Sequence, residues 1–125
     1  MSLCPVLPLS NGRTIPAVGF GTWRADTTKI GEALLTALRA GVRHIDTAGI
    51  YRNEALLGSV IKSAIDEGVC SREELFVTSK LGMGQMTPEL VRPAIEQSIA
   101  DLGIGYLDLY LTVRIRETSV LTSHR

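Results

Sequence analysis

An α/β fold, with a parallel sheet wound through helical crossovers, is predicted by two observations. Short apolar runs alternate with longer stretches whose apolar residues recur at helical spacing, and the connections between them are short. Each helical stripe is also stopped by a glycine, at Gly41, Gly68 and Gly103, before the next run begins. Right-handed crossovers then put the C-terminal ends of all strands on one face, where Asp46, Tyr51 and Lys80 would gather.

Taken in order, Leu7 to Pro16 reads as a small hairpin, with Asn11-Gly12 as a two-residue turn signal. Val18 to Trp23 reads as a short buried strand. Asp26 or Thr27 caps a first helix with Ile30, Ala33, Leu34, Ala37 and Leu38 on one stripe. A second strand runs from Gly41 to Asp46, and the loop beyond it carries Tyr51. Asn53 caps a second helix with Leu57, Val60, Ile61, Ala64 and Ile65 on one face. Ser71-Arg72-Glu73-Glu74 is a capping-box pattern, and Leu75 to Ser79 is a third strand with Lys80 at its end. Thr87-Pro88 starts a third helix, whose stripe is Val91, Ala94, Ile95, Ser98, Ile99 and Leu102. Tyr106 to Leu111 is a fourth strand. From Thr112 onward there is neither stripe nor turn chemistry, which reads as a solvated tail or a brief prolongation of that strand.

Two sheet architectures satisfy this pattern, an open doubly wound sheet or a (β/α)₈ barrel. Gly19-Phe20-Gly21 lacks the third glycine of a dinucleotide fingerprint, and no helix follows it at once, which disfavours a Rossmann-type sheet. The 125 residues suffice for one domain, and the 13 basic and 13 acidic side chains cancel, leaving no basic patch for nucleic acid. No apolar run reaches the length of a membrane span, and the N-terminus lacks the pattern of a signal peptide. Cys4 and Cys70 stand far apart without metal-ligand spacing, as expected of reduced thiols in a cytoplasmic protein.

Asp46, Tyr51 and Lys80 together suggest acid–base chemistry. A phenol is a poor acid near neutrality because its free pKa is about 10. A neighbouring ammonium favours the phenolate, and a carboxylate keeps the ammonium charged. Such a trio can protonate a carbonyl oxygen as a hydride arrives. Each residue alone has a structural reading too: Asp46 capping a loop, Lys80 solvated at a strand end, Tyr51 packed on a helix.

Gly41-Val42-Arg43-His44-Ile45-Asp46-Thr47-Ala48, followed after five residues by Glu54-Ala55-Leu56-Leu57-Gly58, resembles the first signature of the aldo-keto reductases. Val18 to Trp23 and Glu73 to Leu81 resemble that family's first and third barrel strands, and Leu102 to Leu111 resembles the approach to its fourth. The Asn11-Gly12 hairpin resembles the one closing the barrel floor. The resemblance covers residues 6 to 111. It implies the N-terminal half of a (β/α)₈ TIM barrel preceded by a β-hairpin, and NADPH-dependent reduction of aldehydes and ketones. By position it implies Tyr51 as general acid, Lys80 as the group that lowers the phenol's pKa, and Asp46 as the lysine's partner. Gly21, Thr22 and Asp46 would lie near the nicotinamide ribose, and Trp23 and Ile50 would wall a pocket for a small carbonyl substrate. Simple packing over the barrel mouth is the other reading of Trp23. His44 is expected to point into the barrel or to bond structurally, and no metal is implied.

The pattern departs from the family after Leu111. The family continues Leu-Ile-His-Trp-Pro, whereas this chain reads Leu111-Thr112-Val113-Arg114-Ile115, and Val113 cannot donate the histidine's hydrogen bond. A full barrel takes about 250 residues. The expectation is therefore a partial reductase domain over 1–111 and a divergent tail over 112–125. Its first and fourth strands would keep open edges able to self-associate. The alternative to a working reductase is a truncated, inactive form that pairs with another chain.

Overall fold

A computed structural model describes residues 4–113. Strands β1 (Val6–Pro8) and β2 (Thr14–Pro16) form an antiparallel hairpin. Then follow β3 (Phe20–Gly21), α1 (Ile30–Arg39), β4 (His44–Asp46), α2 (Glu54–Asp66), β5 (Phe76–Leu81), α3 (Pro88–Leu102) and β6 (Leu109–Thr112). The order β3-β4-β5-β6 is parallel throughout and follows the chain. A doubly wound sheet reverses its strand order at a switch point. No reversal occurs here, so every crossover moves one strand onward, as in a (β/α)₈ barrel. The architecture is that of such a barrel's N-terminal half, with the hairpin in front.

The stripes read from the sequence face the sheet. Ile30, Leu34 and Leu38 of α1, Leu57, Ile61 and Ala64 of α2, and Leu102 of α3 pack on Ile45 and Val77 of the strands. Each fully buried Leu or Ile contributes about 1.5–3 kcal/mol relative to exposure. Helices α2 and α3 meet closely at Gly58, where a Cβ would stand 2.0 Å from the Leu102 carbonyl oxygen. On the opposite face of the strands, His44 Nε2 lies 3.0 Å from Thr78 Oγ1, and its ring meets Phe76 edge-on at 5.2 Å. This is the structural role expected of it.

Beneath the sheet, Arg72 ties the approach to β6 to the start of β5. Its guanidinium donates to the carbonyls of Ile104 (3.2 Å), Leu75 (3.0 Å) and Tyr106 (2.6 Å) and to Asp108 Oδ2 (2.9 Å). Asp108 also accepts from the Val77 amide (2.9 Å), and Arg72 lies 3.7 Å over the Tyr106 ring. Arg43 caps α1 from below, donating to the carbonyls of Leu38 and Val42, and bridges to that of Val69.

Several local readings are corrected. The hairpin turn is a three-residue loop, Ser10-Asn11-Gly12, closed by Gly12 N to Leu9 O (3.0 Å) and Leu9 N to Arg13 O (2.8 Å). Gly12 takes φ +81°, the bulge position of such a loop, so the Asn-Gly signal marks the place of the turn and understates its length. The strand at 18–23 shrinks to Phe20–Gly21, and Val18 and Trp23 are exposed. Helix α1 starts at Ile30 because Asp26 caps a turn ahead of it, through Thr28 N (2.8 Å). Asn53 precedes α2 but its side chain caps nothing. Strand β6 starts at Leu109 because Tyr106 and Asp108 serve Arg72. Thr112 still pairs with Leu81, and the tail beyond Val113 lies outside the described residues.

Candidate active site

Strand register brings the polar groups together. Gly21 pairs with Asp46, Asp46 with Thr78, and Lys80 with Leu111, so Asp46 and Lys80 stand at neighbouring strand ends. The chain leaving β4 is pinned at once, because the Thr47 amide donates to Thr78 O (2.9 Å) and Ala48 is buried. A single 3₁₀ turn, Gly49–Tyr51, then lifts Tyr51 back over the sheet, and Arg52 follows in the left-handed region at φ +55°.

Two side chains hold this loop to the end of β3. The Thr22 hydroxyl donates to Asp46 O (2.9 Å). Buried Asn53 donates to Thr22 O (3.0 Å) and accepts a long contact from Thr47 Oγ1 (3.4 Å). The amide that reads as a helix cap is thus a tie between two strand-end loops.

Lys80 Nζ occupies the centre. It donates to Asp46 Oδ1, to Thr47 O (3.0 Å) and to Tyr51 Oη (3.2 Å). An ammonium has three donors, and all three are used. The phenol oxygen accepts from the lysine, so its own hydrogen must point elsewhere. It donates to no acceptor among the described residues. A proton is therefore presented at the barrel mouth, backed by a positive charge that an adjacent carboxylate holds in place.

The other residues singled out in the sequence surround this centre. Gly21 is exposed, and a Cβ there would meet nothing within 4 Å, so the backbone beside Asp46 is open to approach. Thr22 is buried, its hydroxyl committed to Asp46. Trp23 and Ile50 are each 65% exposed, far from the burial that simple packing would give. Arg24 lies 4.7 Å over the Trp23 ring. Val113, two residues past the Leu111 that pairs with Lys80, is exposed. A cleft of about 430 Å³ opens on the α3 side of Lys80, lined by Gly49, Ile50, Glu54, Ser98, Asp101 and Tyr110 among others, and Tyr51, Asp46 and Trp23 do not line it.

Glu54 is the residue the sequence reading missed. It is the first residue of α2 and only 3% exposed. It opens the second half of the signature quoted above, but an acidic residue in a helix's first turn is the ordinary electrostatic choice, so the sequence reading gave it no role. Its carboxylate accepts from Ser79 Oγ (2.9 Å) and Ser98 Oγ (2.8 Å). Burial pushes its pKa up, against the pull of the two serines.

Residues 17–121 match the sequence model of the Aldo/keto reductase family. An aldo/keto reductase of Synechocystis sp. is 50% identical over 104 residues, covering 83% of this chain and 32% of the relative. The NAD(P)H-dependent D-xylose reductase of Scheffersomyces stipitis is 42% identical over 107 residues, covering 86% of this chain and 34% of the relative. Among solved structures, a Bombyx mori aldo-keto reductase in complex with NADP superposes with a TM-score of 0.84 at 41% identity, covering 87% of this chain and 38% of that one. The chain thus spans about a third of the length of the curated relatives it matches. The structural superposition and the sequence agreement across residues 17–121 lead to one assignment: this chain belongs to the aldo/keto reductase family.

Proposed function

We propose that this chain carries the proton-donating side of an NAD(P)H-dependent carbonyl reductase site, with Tyr51 as general acid. The observation that carries the reading is the saturated Lys80 ammonium, which leaves the Tyr51 hydrogen free to face a substrate. Gly21, Thr22 and Asp46 would hold the nicotinamide ribose of NADPH, and the open backbone at Gly21 beside Asp46 fits a flat group approaching there. When bound, NADPH supplies the hydride that reaches the carbonyl carbon. Tyr51 gives its phenolic proton to the carbonyl oxygen, so that C=O becomes CH–OH. Lys80 stabilises the phenolate left behind, and Asp46 holds the ammonium against it. Trp23 and Ile50 wall the pocket for a small aldehyde or ketone. Val113 offers no hydrogen bond to the carbonyl, so turnover is expected to be slow.

The reductase domain in this reading spans 1–111, with 112–125 as a tail. Cys70, a buried thiol outside any disulfide, suits a cytoplasmic setting. The deciding experiment follows NADPH oxidation with an aromatic aldehyde. Turnover that falls by about a hundredfold or more in Tyr51→Phe supports the reading. Turnover indifferent to that change would overturn it.

A second reading is an inactive form that pairs with another copy. It is favoured by β3 and β6, each paired on one side only among the described residues, and by exposed Leu111 and Val113 beside β6. Sedimentation distinguishes the two: a dimer without Tyr51-dependent turnover supports pairing, and an active monomer excludes it.

A further inference from the structure

We propose that Glu54 is a positioning residue, a strut that sets the distance between Tyr51 and Lys80. The proposal deepens the reductase reading and, for its kinetic consequence, rests on it. Four segments meet at this carboxylate. It belongs to the first turn of α2. Ser79, one residue before Lys80 on β5, donates to one of its oxygens, and Ser98 of α3 donates to the other. The third neighbour is the turn that carries Tyr51: a Cβ on Gly49 would lie 3.4 Å from Glu54 Oε1 and 3.6 Å from Ser98 Oγ.

Tyr51 and Lys80 thus share one anchor from behind. Lys80 faces the site, while Ser79, its neighbour in the strand, faces the opposite way and reaches Glu54. Tyr51 ends the three-residue turn Gly49–Tyr51 and stands only three residues ahead of Glu54, the first residue of α2, so holding that carboxylate holds the exit of the turn. The direct contacts between the two are one 3.2 Å bond and the approach of the ammonium to the ring. Those contacts fix where the ammonium sits, but not where the backbone of β5 stands relative to the turn that carries Tyr51. A buried carboxylate accepting from two hydroxyls has few alternatives.

The type of residue also fits a strut. An apolar side chain here would leave two buried serine hydroxyls, Ser79 and Ser98, without this acceptor. An ionised carboxylate accepts both, and a glutamine amide can do so only by donating to one serine, which a hydroxyl can accept. Glutamine should therefore preserve the strut and alanine should remove it.

The test reads the geometry directly. In the chain labelled at lysine and tyrosine, the nuclear Overhauser cross-peak between the Lys80 side chain and the Tyr51 ring reports their approach, 5.1 Å from Nζ to the ring centre. Glu54→Ala should lose that cross-peak and Glu54→Gln should keep it. Hydrogen exchange at Leu34 and Leu38 of α1 should change by less than about threefold, which marks a local effect. If Glu54→Ala does not fold, Ser98→Ala removes one arm of the strut and should weaken the same cross-peak. An unchanged cross-peak in either folded variant would overturn the proposal, as would a rise in exchange spread evenly through α1. Where the unmodified chain shows Tyr51-dependent turnover, Glu54→Ala should lower kcat by about a hundredfold with little change in KM. Absence of such turnover counts against the reductase reading alone, since the cross-peak still decides the strut.

Discussion

The two ends of the sheet each hold an ion pair, and the pairs differ in what they leave unused. At the lower end, Arg72 and Asp108 are 12% and 13% exposed. The guanidinium meets three carbonyls as well as the carboxylate, and the carboxylate meets a backbone amide. Every one of those contacts ends on protein. At the upper end, Lys80 is 16% exposed and Asp46 34%. There the lysine's third donor goes to a phenol whose hydrogen is left over. Both pairs sit at strand ends of one parallel sheet. What separates a clamp from a candidate site is that the upper network ends on a group still able to give a proton.

The largest expected effect comes from breaking the clamp. Arg72→Met leaves Asp108 without its cation and three carbonyls without a donor. Removing one partner of a pair this buried costs about 3–5 kcal/mol. A large fall in melting temperature should result, measured by circular dichroism. A loss under about 1 kcal/mol would mean that the lower pair is no more structural than an exposed one, and the comparison would fail.

The two ends were not equally legible in the sequence. The helical stripes and the glycine stops follow from local pattern, and the structure repeats them with shifted ends, while the barrel's strand order was implied by the family resemblance. Asp46 and Lys80 were legible because strand-end positions on a parallel sheet converge, whereas Tyr51 reaches them through the turn Gly49–Tyr51. The clamp was not. Arg72 reads as one residue of a capping box, and half of that box is present, with Glu74 Oε2 accepting from Ser71 N (2.8 Å). Three of the four partners of Arg72 lie 32 to 36 residues onward, a separation that local periodicity cannot reveal. Asn53 failed for a related reason. Its position before α2 satisfies the rule for a cap, yet the loops after β3 and β4 compete for the same amide and win. Glu54 shows the limit most clearly, since the serines that bury it come from two other elements.

A smaller effect is expected on stability at the upper end. Lys80→Met removes the cation, but Asp46 keeps enough exposure to be solvated. The cost should be about 1 kcal/mol or less, read from urea denaturation midpoints. Any Tyr51-dependent turnover should disappear with it. This variant sharpens the contrast: stability nearly kept with chemistry lost is the mark of a site, and stability lost as in Arg72→Met would make the pair a second clamp.

The smallest effect lies behind the site and depends on pH. Burial raises the pKa of Glu54 above its ordinary 4.5, opposed by Ser98 and Ser79. Three further ionisable groups face it: Asp101 of α3, which adds to the rise, Lys80 of β5, which opposes it, and the Tyr110 phenol of β6. With the folded value raised, the folded chain keeps a proton that the unfolded chain has already released. Stability from this group is therefore full below pH 4.5 and is lost as pH climbs through the raised value. Glu54→Gln carries no such proton. Relative to the unmodified chain, its urea midpoint should gain as pH rises from 4.5 toward neutrality. Every tenfold difference in proton affinity between the folded and unfolded chains is worth about 1.4 kcal/mol. Parallel curves for the two proteins would mean that the two serines fully offset the burial of Glu54, and that the asymmetry between the two ends stops at Lys80. A widening gap instead places an undercompensated carboxylate directly behind the residues that hold Tyr51, where the lower end has an arginine bonded four times.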